Sequence, residues 1–518
     1  MAQRVFAINR LRSLWPGLLA AALVAALSLG TLGAVALRAE SFSALSRFDW
    51  LAVRFTVVQA ALSAALSVLF AIPAARALAR RSFPGRGLLI TLLGAPFILP
   101  TIVAILGLTA VFGKTGFVSV LLSWAGLEPI SIYGFHGVVL AHVFFNLPLA
   151  TRLLLQGWGA IPAERFRLAS ALHFAPGDIF RHIELPMLKE IVPGAFTVIF
   201  LICTTSFAVA LTFGGGPKAT TVELAIYEAF RYDFNLGKAS LLALIQVLIC
   251  VVAALTSLRF RVPQMGQGGL DRVVQRFDAR TIRGLAFDLF WIGTVSLFLL
   301  TPLLAILLRG TAGISDLPAS VWSAALRSLA TALGSAGLAI LLSLALALSA
   351  LRWRGLEVIG MSSIAASPLV MGTGLYIVLF AVTDPAEWAL LITALVNAVM
   401  SLPFILRALS PALAAVERDY GRLSDSLGLT GWARLRLVTL PRLKAPIGFS
   451  AGLAAALSMG DLGVITLFAR PEAATLPLQI YRLMGSYRMD QAMGAALLLL
   501  GLSLSLFYIF DLWGRRRA

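Results

Sequence analysis

Cysteine, histidine and charge are all in short supply in this chain. Its 518 residues include 2 cysteines and 4 histidines, and 13% are charged. Cys203 and Cys250 lie in apolar runs, which points to packing rather than a disulfide framework. The histidines are too widely spaced for a metal motif, so no metal and no other cofactor is expected. No Ser, His and acid combination has a catalytic spacing, and the chain does not read as an enzyme. A nucleotide-binding loop is missing as well. Phe112-Gly113-Lys114-Thr115 imitates its end, but position 108 is Leu where the motif needs glycine, so the tripeptide reads as a helix-end turn.

What remains is apolar. Hydrophobic residues make up 59% of the chain, the mean hydropathy is +0.91, and the apolar runs reach the length of about 20 that spans a bilayer as a helix. The composition predicts an all-α polytopic membrane protein. Twelve helices are expected, near 15–37, 54–75, 88–112, 135–157, 191–211 and 239–258, then 285–308, 328–351, 358–382, 386–409, 446–469 and 492–512. The first run is too long for the core of a cleaved signal peptide and is read as a retained helix. The net charge of +18 is explained by orientation in a bilayer rather than by nucleic acid. Of the 42 Lys and Arg, 30 fall in the N-terminus, alternate loops, the 259–283 connector and the C-terminus. That asymmetry places both termini in the cytoplasm.

One segment occurs twice. RLASALHFAPGDIFRHIELP (Arg167 to Pro186) returns 255 positions later as RLSDSLGLTGWARLRLVTLP (Arg422 to Pro441). Leu172/Leu427, Arg181/Arg436, Leu185/Leu440 and Pro186/Pro441 agree in one register. A period this long marks a duplicated unit. The division is 1–260, a connector at 261–283, and 284–518, giving two parallel six-helix repeats. Each copy reads as a short helix, a turn and a second helix, within about 158–190 and about 411–445. Pro176-Gly177 and Gly431 are expected to break the helices, and Pro186 and Pro441 to mark the next boundary. Phe166, Ala169, Leu172 and His173, with Gly421, Ser424, Leu427 and Gly428, are expected to form a contact face of small residues.

These loops resemble the coupling loops of binding-protein-dependent ABC importer permeases, whose motif is Glu-Ala-Ala, a Gly three residues on, then Ile-x-Leu-Pro after nine more. The tail is kept as Ile183, Leu185-Pro186 and as Val438, Leu440-Pro441. The head departs: the Glu position is Arg167 and Arg422, and the motif Gly survives as Gly428 but is His173 in the first copy. Segments Ser206–Phe230, Leu457–Phe468 and Thr475–Arg488 resemble the thiamine and thiamine-diphosphate branch. The resemblance implies a type I permease fold, two copies of an ABC ATPase at the loops, a periplasmic thiamine-binding protein, a small-molecule substrate and a bacterial inner-membrane location. A ferric-iron importer, or an ion-coupled secondary transporter, is the alternative.

Four residues are candidates for the pathway or for binding-protein contact. Asp461, in Ser458-Met459-Gly460-Asp461-Leu462-Gly463, is the chief ionisable residue well inside an apolar run, and either lines a pathway or serves a helix break. Its counterpart is expected near Phe207-Ala208. Gly215 lies in a glycine run that reads as an outer loop or a partner surface. Tyr227, in an expected short interfacial helix, has its echo in Tyr481. His142, Asn146, Gln246 and Asn397 read as interhelical hydrogen-bonding residues.

The orientation is testable by labelling. Single cysteines at Ala163 and Ala415 are expected to react from the cytoplasm, and one at Lys218 from outside. Labelling of position 163 or 415 from outside would reverse the topology.

Overall fold

The structure, a computed structural model, describes residues 14–41, 45–94, 98–214, 216, 219–257, 259–260, 276, 281–363 and 367–516. Its regular elements are all helices. The first sequence half contributes α1 (Trp15–Arg38), α2 (Arg47–Arg80), α3 (Arg86–Leu92), α4 (Thr101–Phe112), α5 (Phe117–Trp124) and α6 (Phe135–Ala160). It continues with α7 (Ala163–Ala171), α8 (Leu185–Thr204), α9 (Phe207–Phe213), α10 (Val222–Arg231) and α11 (Leu236–Ser257). The second half opens with α12 (Ile282–Gly313), α13 (Ala319–Ala350), α14 (Gly355–Ser362), α15 (Pro368–Phe380) and α16 (Ala389–Ser426). It closes with α17 (Leu440–Met459), α18 (Gly463–Phe468), α19 (Leu476–Gly485) and α20 (Met489–Arg515).

Among the described residues, 11 helical stretches are long and apolar enough to cross a membrane. The chain is a multi-pass membrane protein. The twelfth expected span, near 358–382, is instead α14 and the 13-residue α15. Ser367 caps α15, accepting at Oγ from Leu369 N at 3.1 Å, and Pro368 sits at its start, where its missing N–H costs nothing. The expected span near 88–112 is likewise divided into α3 and α4, with Pro100 just before α4.

The expected spans near 191–211 and 446–469 are also interrupted, the second at Asp461, where a helix break was one of the two expected readings. Thr205-Ser206 separates α8 from α9, and Gly460-Asp461-Leu462 separates α17 from α18. In the first break, Thr204 and Thr205 turn their hydroxyls back to Leu201 O, at 2.7 and 3.3 Å, competing with the helical ladder. In the second, Gly460 weakens the helix and Asp461 Oδ1 accepts from Gly463 N at 3.2 Å. The counterpart of Asp461 is therefore Ser206, slightly earlier than Phe207-Ala208, because the break precedes α9.

The first helix of each half packs across onto the other half. α1 lies against α13 and α15, whereas α12 lies against α4 and α2. On its other side α12 meets α20 so closely that a Cβ on Gly313 would stand 2.1 Å from Asp490 O. Small residues of this kind let helix backbones approach where lipid gives no hydrophobic drive.

One buried carboxylate, Asp288, anchors this exchange, and a second, Glu184, ties the first half to the connector. Asp288 of α12, 1% exposed, accepts from Arg80 Nε at 2.8 Å and from Arg81 Nε at 2.6 Å, both at the end of α2. Glu184, fully buried ahead of α8, accepts from Arg76 Nε at 2.7 Å, Arg276 Nη1 at 2.8 Å and Trp158 Nε1 at 3.1 Å. Most of the 261–283 connector lies outside the described residues. Its Arg276 is described, and it is not a lipid-facing charge: it is buried, and its guanidinium stacks 4.4 Å over the Phe166 ring.

Removing one partner of such a pair strands a buried charge. Asp288→Ala is expected to cost about 3–5 kcal/mol, read as a lower melting temperature in detergent. Arg80→Leu and Arg81→Leu combined with Asp288→Leu are expected to recover most of that loss, since no charge is then left buried. Equal melting of wild type and Asp288→Ala would show that the pair does not hold α12 to α2.

Candidate functional site

The two repeated loops have the same local build. After α7 the chain turns at Leu172 and His173, and a short helix, Pro176–Ile179, leads into a wider π-helical turn at Phe180–Glu184. In the second copy the turn is at Leu427 and Gly428, the short helix is Gly431–Arg434 and the π turn is Leu435–Thr439. His173 and Gly428 both adopt left-handed backbone, with φ of 54° and 66°. Gly428 accepts that conformation without strain, whereas His173 pays for its Cβ. The register that equates these two residues is thus visible in the backbone.

Three local details follow. The turns precede Pro176 and Gly431, which open the next helix instead of ending the last. Pro186 and Pro441 do stand at the expected boundaries, each as the second residue of a spanning helix, α8 or α17. A proline there lacks one N–H, and the wide π turn just before it absorbs the mismatch. Third, the copies enter differently. Pro162 separates α7 from α6, but the equivalent position is Glu417, and α16 runs unbroken to Ser426.

The expected contact face also divides in two. Phe166, Ala169, Gly421 and Ser424 are buried toward the protein, and Ser424 Oγ donates to Tyr420 O at 2.8 Å. Leu172 and Leu427 point out, 57% and 65% exposed, beside exposed His173, Gly428, Arg167 and Arg422. Leu185 and Leu440 are half-buried at the helix starts, with Pro186 and Pro441 exposed.

A cavity of about 370 Å³ lies between the two halves. Its lining repeats the internal duplication: His142 and Asn397, Asn146 and Ser401, Ile202 and Leu457, and Ser206 and Asp461 are pairs in the same 255-residue register. The pseudo-twofold relation between the halves therefore passes through it. Both helix breaks open onto this space, which is how a discontinuous helix exposes backbone and polar groups inside a membrane. Asp461 lines the cavity, joined by His142 and by Glu223 of α10. Glu223 was not singled out from the sequence as a site residue. It sits in a short amphipathic helix, where a surface position is the natural reading, yet it is only 1% exposed.

The other candidates do not join them. Gly215 lies outside the described residues. Tyr227 is buried in α10, with its ring edge-on to Phe207 at 5.3 Å, and burial helped by Tyr232 pushes its phenol up to about 12. Tyr481 of α19 is half-buried, and burial also raises its phenol. Neither presents a surface. Exposed aromatics after α10 and α19 include Tyr232 and Tyr487, themselves 255 positions apart, with Phe234 beside the first. Gln246 is an interhelical bond, donating to Thr204 O at 2.8 Å.

Crossed spanning halves around a shared cavity, with a repeated helix-turn-helix loop in each half, have the build of a membrane permease. No protein-family model matches the chain. Over 513 residues it is 38% identical to the thiamine transport system permease protein ThiP of Brucella abortus, across 96% of this chain and 94% of that protein. With ThiP of Salmonella typhimurium the identity is 39% over 513 residues, 96% of each. With ThiP of Escherichia coli it is 38% over 477 residues, 89% of this chain and 88% of that one. The chain belongs to the ThiP family of thiamine transport system permease proteins. The ferric-iron reading draws no support from these relatives.

Burial, opposed in part by Ser367 beside it, pushes the Glu223 carboxyl up to about 8. The folded state therefore prefers this group protonated, and the stability it contributes is complete at low pH and lost as pH rises through about 8. Glu223→Gln is expected to remove that part of the pH dependence and to melt at or above the wild-type temperature near pH 8. Parallel melting curves for the two proteins across that range would contradict the burial argument.

Proposed function

We propose that this chain is the membrane permease of an ATP-driven importer, passing thiamine or thiamine diphosphate from the periplasm to the cytoplasm of a bacterium. The observation that carries this reading is identity of 38–39% with ThiP proteins over nearly the whole chain. Residues 1–260 and 284–518 act as the two permease units in the inner membrane, with both termini cytoplasmic. Each unit presents one repeated loop to one copy of an ABC ATPase. Leu172 and Leu427, exposed at the loop turns, are the apolar tips of that contact, and burying such groups against a partner stabilises the joint. A periplasmic thiamine-binding protein delivers the substrate to the opposite face, where Tyr232 and Tyr487 are exposed.

The decisive assay joins permease, ATPase and binding protein in proteoliposomes and follows labelled thiamine, thiamine diphosphate and ferric iron. ATP-dependent thiamine uptake that persists with ionophores present is expected. Uptake driven by an ion gradient without ATP would favour a secondary transporter, and iron uptake without thiamine would replace the substrate. For the loops, Leu172→Asp, Leu427→Asp and Gly428→Trp are expected to leave the membrane region folded while lowering ATPase association and uptake by about tenfold or more, because a charge or bulk must be buried at the joint. Undiminished uptake in all three would remove these loops from the coupling path.

A further inference from the structure

The cavity carries more chemistry than passage alone requires. Its lining residues include Glu223, Asp461 and His142, but no lysine or arginine. Both oxygens of Glu223 and Oδ2 of Asp461 are buried without a hydrogen bond of ordinary geometry, with only the neutral side chains of Ser367 and Asn397 beside them. Groups left in that state are uncommon in native interiors and call for a cause. Elsewhere this chain pairs its buried acids, as Asp288 and Glu184 show with their arginines. The cavity acids have no such partner.

His142 adds a direction. Gln59 Nε2 donates to Cys203 O at 3.1 Å and to Thr56 O at 3.2 Å, which turns Gln59 Oε1 toward His142 Nδ1 at 2.8 Å. In the neutral ring Nδ1 then carries the hydrogen, leaving Nε2 as an acceptor, and Nε2 is buried without a partner. Phe145, Phe207 and Phe404 add flat apolar surface to the lining. Among the described residues no three His, Cys, Asp or Glu converge as a metal-binding group. That dispersal suits a charge spread over an organic ring better than a metal ion. The volume also lies within the range of about 300–1,000 Å³ typical of small-molecule sites.

We infer that this cavity is a binding site for a flat aromatic cation bearing an N–H donor, with Asp461 and Glu223 as counter-charges and His142 Nε2 as the acceptor. The inference rests on the import reading above, and it assigns the thiazolium ring of thiamine to the carboxylates and its aminopyrimidine to His142. Asp461 is the main counter-charge. Glu223 holds a proton while the cavity is empty and releases it to water when the cation takes its place. The permease then takes part in substrate selection, alongside any binding protein.

The test uses the permease–ATPase complex in lipid nanodiscs, without binding protein, and measures binding of labelled thiamine. Asp461→Asn is expected to weaken binding roughly tenfold to a hundredfold, the range for losing a charged partner, and Glu223→Gln by less. Both complexes should elute as a single species and melt no lower than wild type, which separates a lost site from a lost fold. An analogue with an uncharged ring in place of the thiazolium should compete poorly against wild type. Ser206→Asp in the Asp461→Asn background places the carboxylate at the pseudo-twofold mate and should restore much of the affinity. Wild-type affinity in both Asp461→Asn and Glu223→Gln, or an uncharged analogue that competes as well as thiamine, overturns the site. So does wild-type uptake in proteoliposomes with no measurable binding to the permease. Absence of wild-type thiamine uptake instead overturns the import reading itself.

Discussion

Asp288 fixes the arrangement on which the rest of the molecule depends. One carboxylate on the first helix of the second half takes two arginines from the second helix of the first half. Such a pair gains little over apolar residues of similar size, because desolvation offsets the Coulomb attraction. Its contribution is specificity: only one placement of α12 along α2 lets Arg80 and Arg81 both reach it. With α12 so placed against α2 and α4, and α1 against α13 and α15, each half completes the other. Neither half closes its own bundle.

The cavity follows from that crossing. Four helix breaks or starts surround it: the α8–α9 and α17–α18 interruptions and the beginnings of α4 and α15, with Pro100 and Pro368 among its lining residues. Uninterrupted apolar helices would pack the same volume shut. Here threonine, glycine, aspartate and proline free backbone and side-chain groups that need a polar space, and the space is where the two repeats meet. The duplicated positions keep their places but not their chemistry. Histidine in one half corresponds to asparagine in the other, and serine corresponds to aspartate. The shell is near-symmetric and its polarity is one-sided.

Much of this architecture was legible in the sequence, and the part that was not has a physical reason. Apolar runs and the 255-residue register between Arg167 and Arg422 located the spans and the repeated loops, because length and periodicity survive any tertiary setting. The helix break at Thr205-Ser206 was hidden, since hydropathy averages over a window and does not register a two-residue interruption, whereas that at Gly460–Leu462 was signalled by Asp461 between its glycines. The swapped packing of α1 and α12 left no trace, as one lipid-compatible face resembles another. Asp461 was recognised because a lone acid in an apolar run is conspicuous. Glu223 escaped because its burial comes from tertiary packing, with α10 set against α11 and α2 and Ser367 beside the carboxyl. Arg276 escaped similarly, within a connector whose other arginines looked like orientation signals.

The joining of both halves in one polypeptide has a consequence for that one-sided cavity. Split into separate chains, two copies of the first half could meet and build a chamber with paired His142 and Glu223 but no Asp461. Two copies of the second would have paired Asp461 and neither of the others. A covalent link at 261–283 removes both mispairings without any interface having to discriminate between them. Stoichiometry, rather than affinity, then keeps the three ionisable groups together. The duplication was thereby free to let its copies diverge, each losing side chains that its sibling is always present to supply.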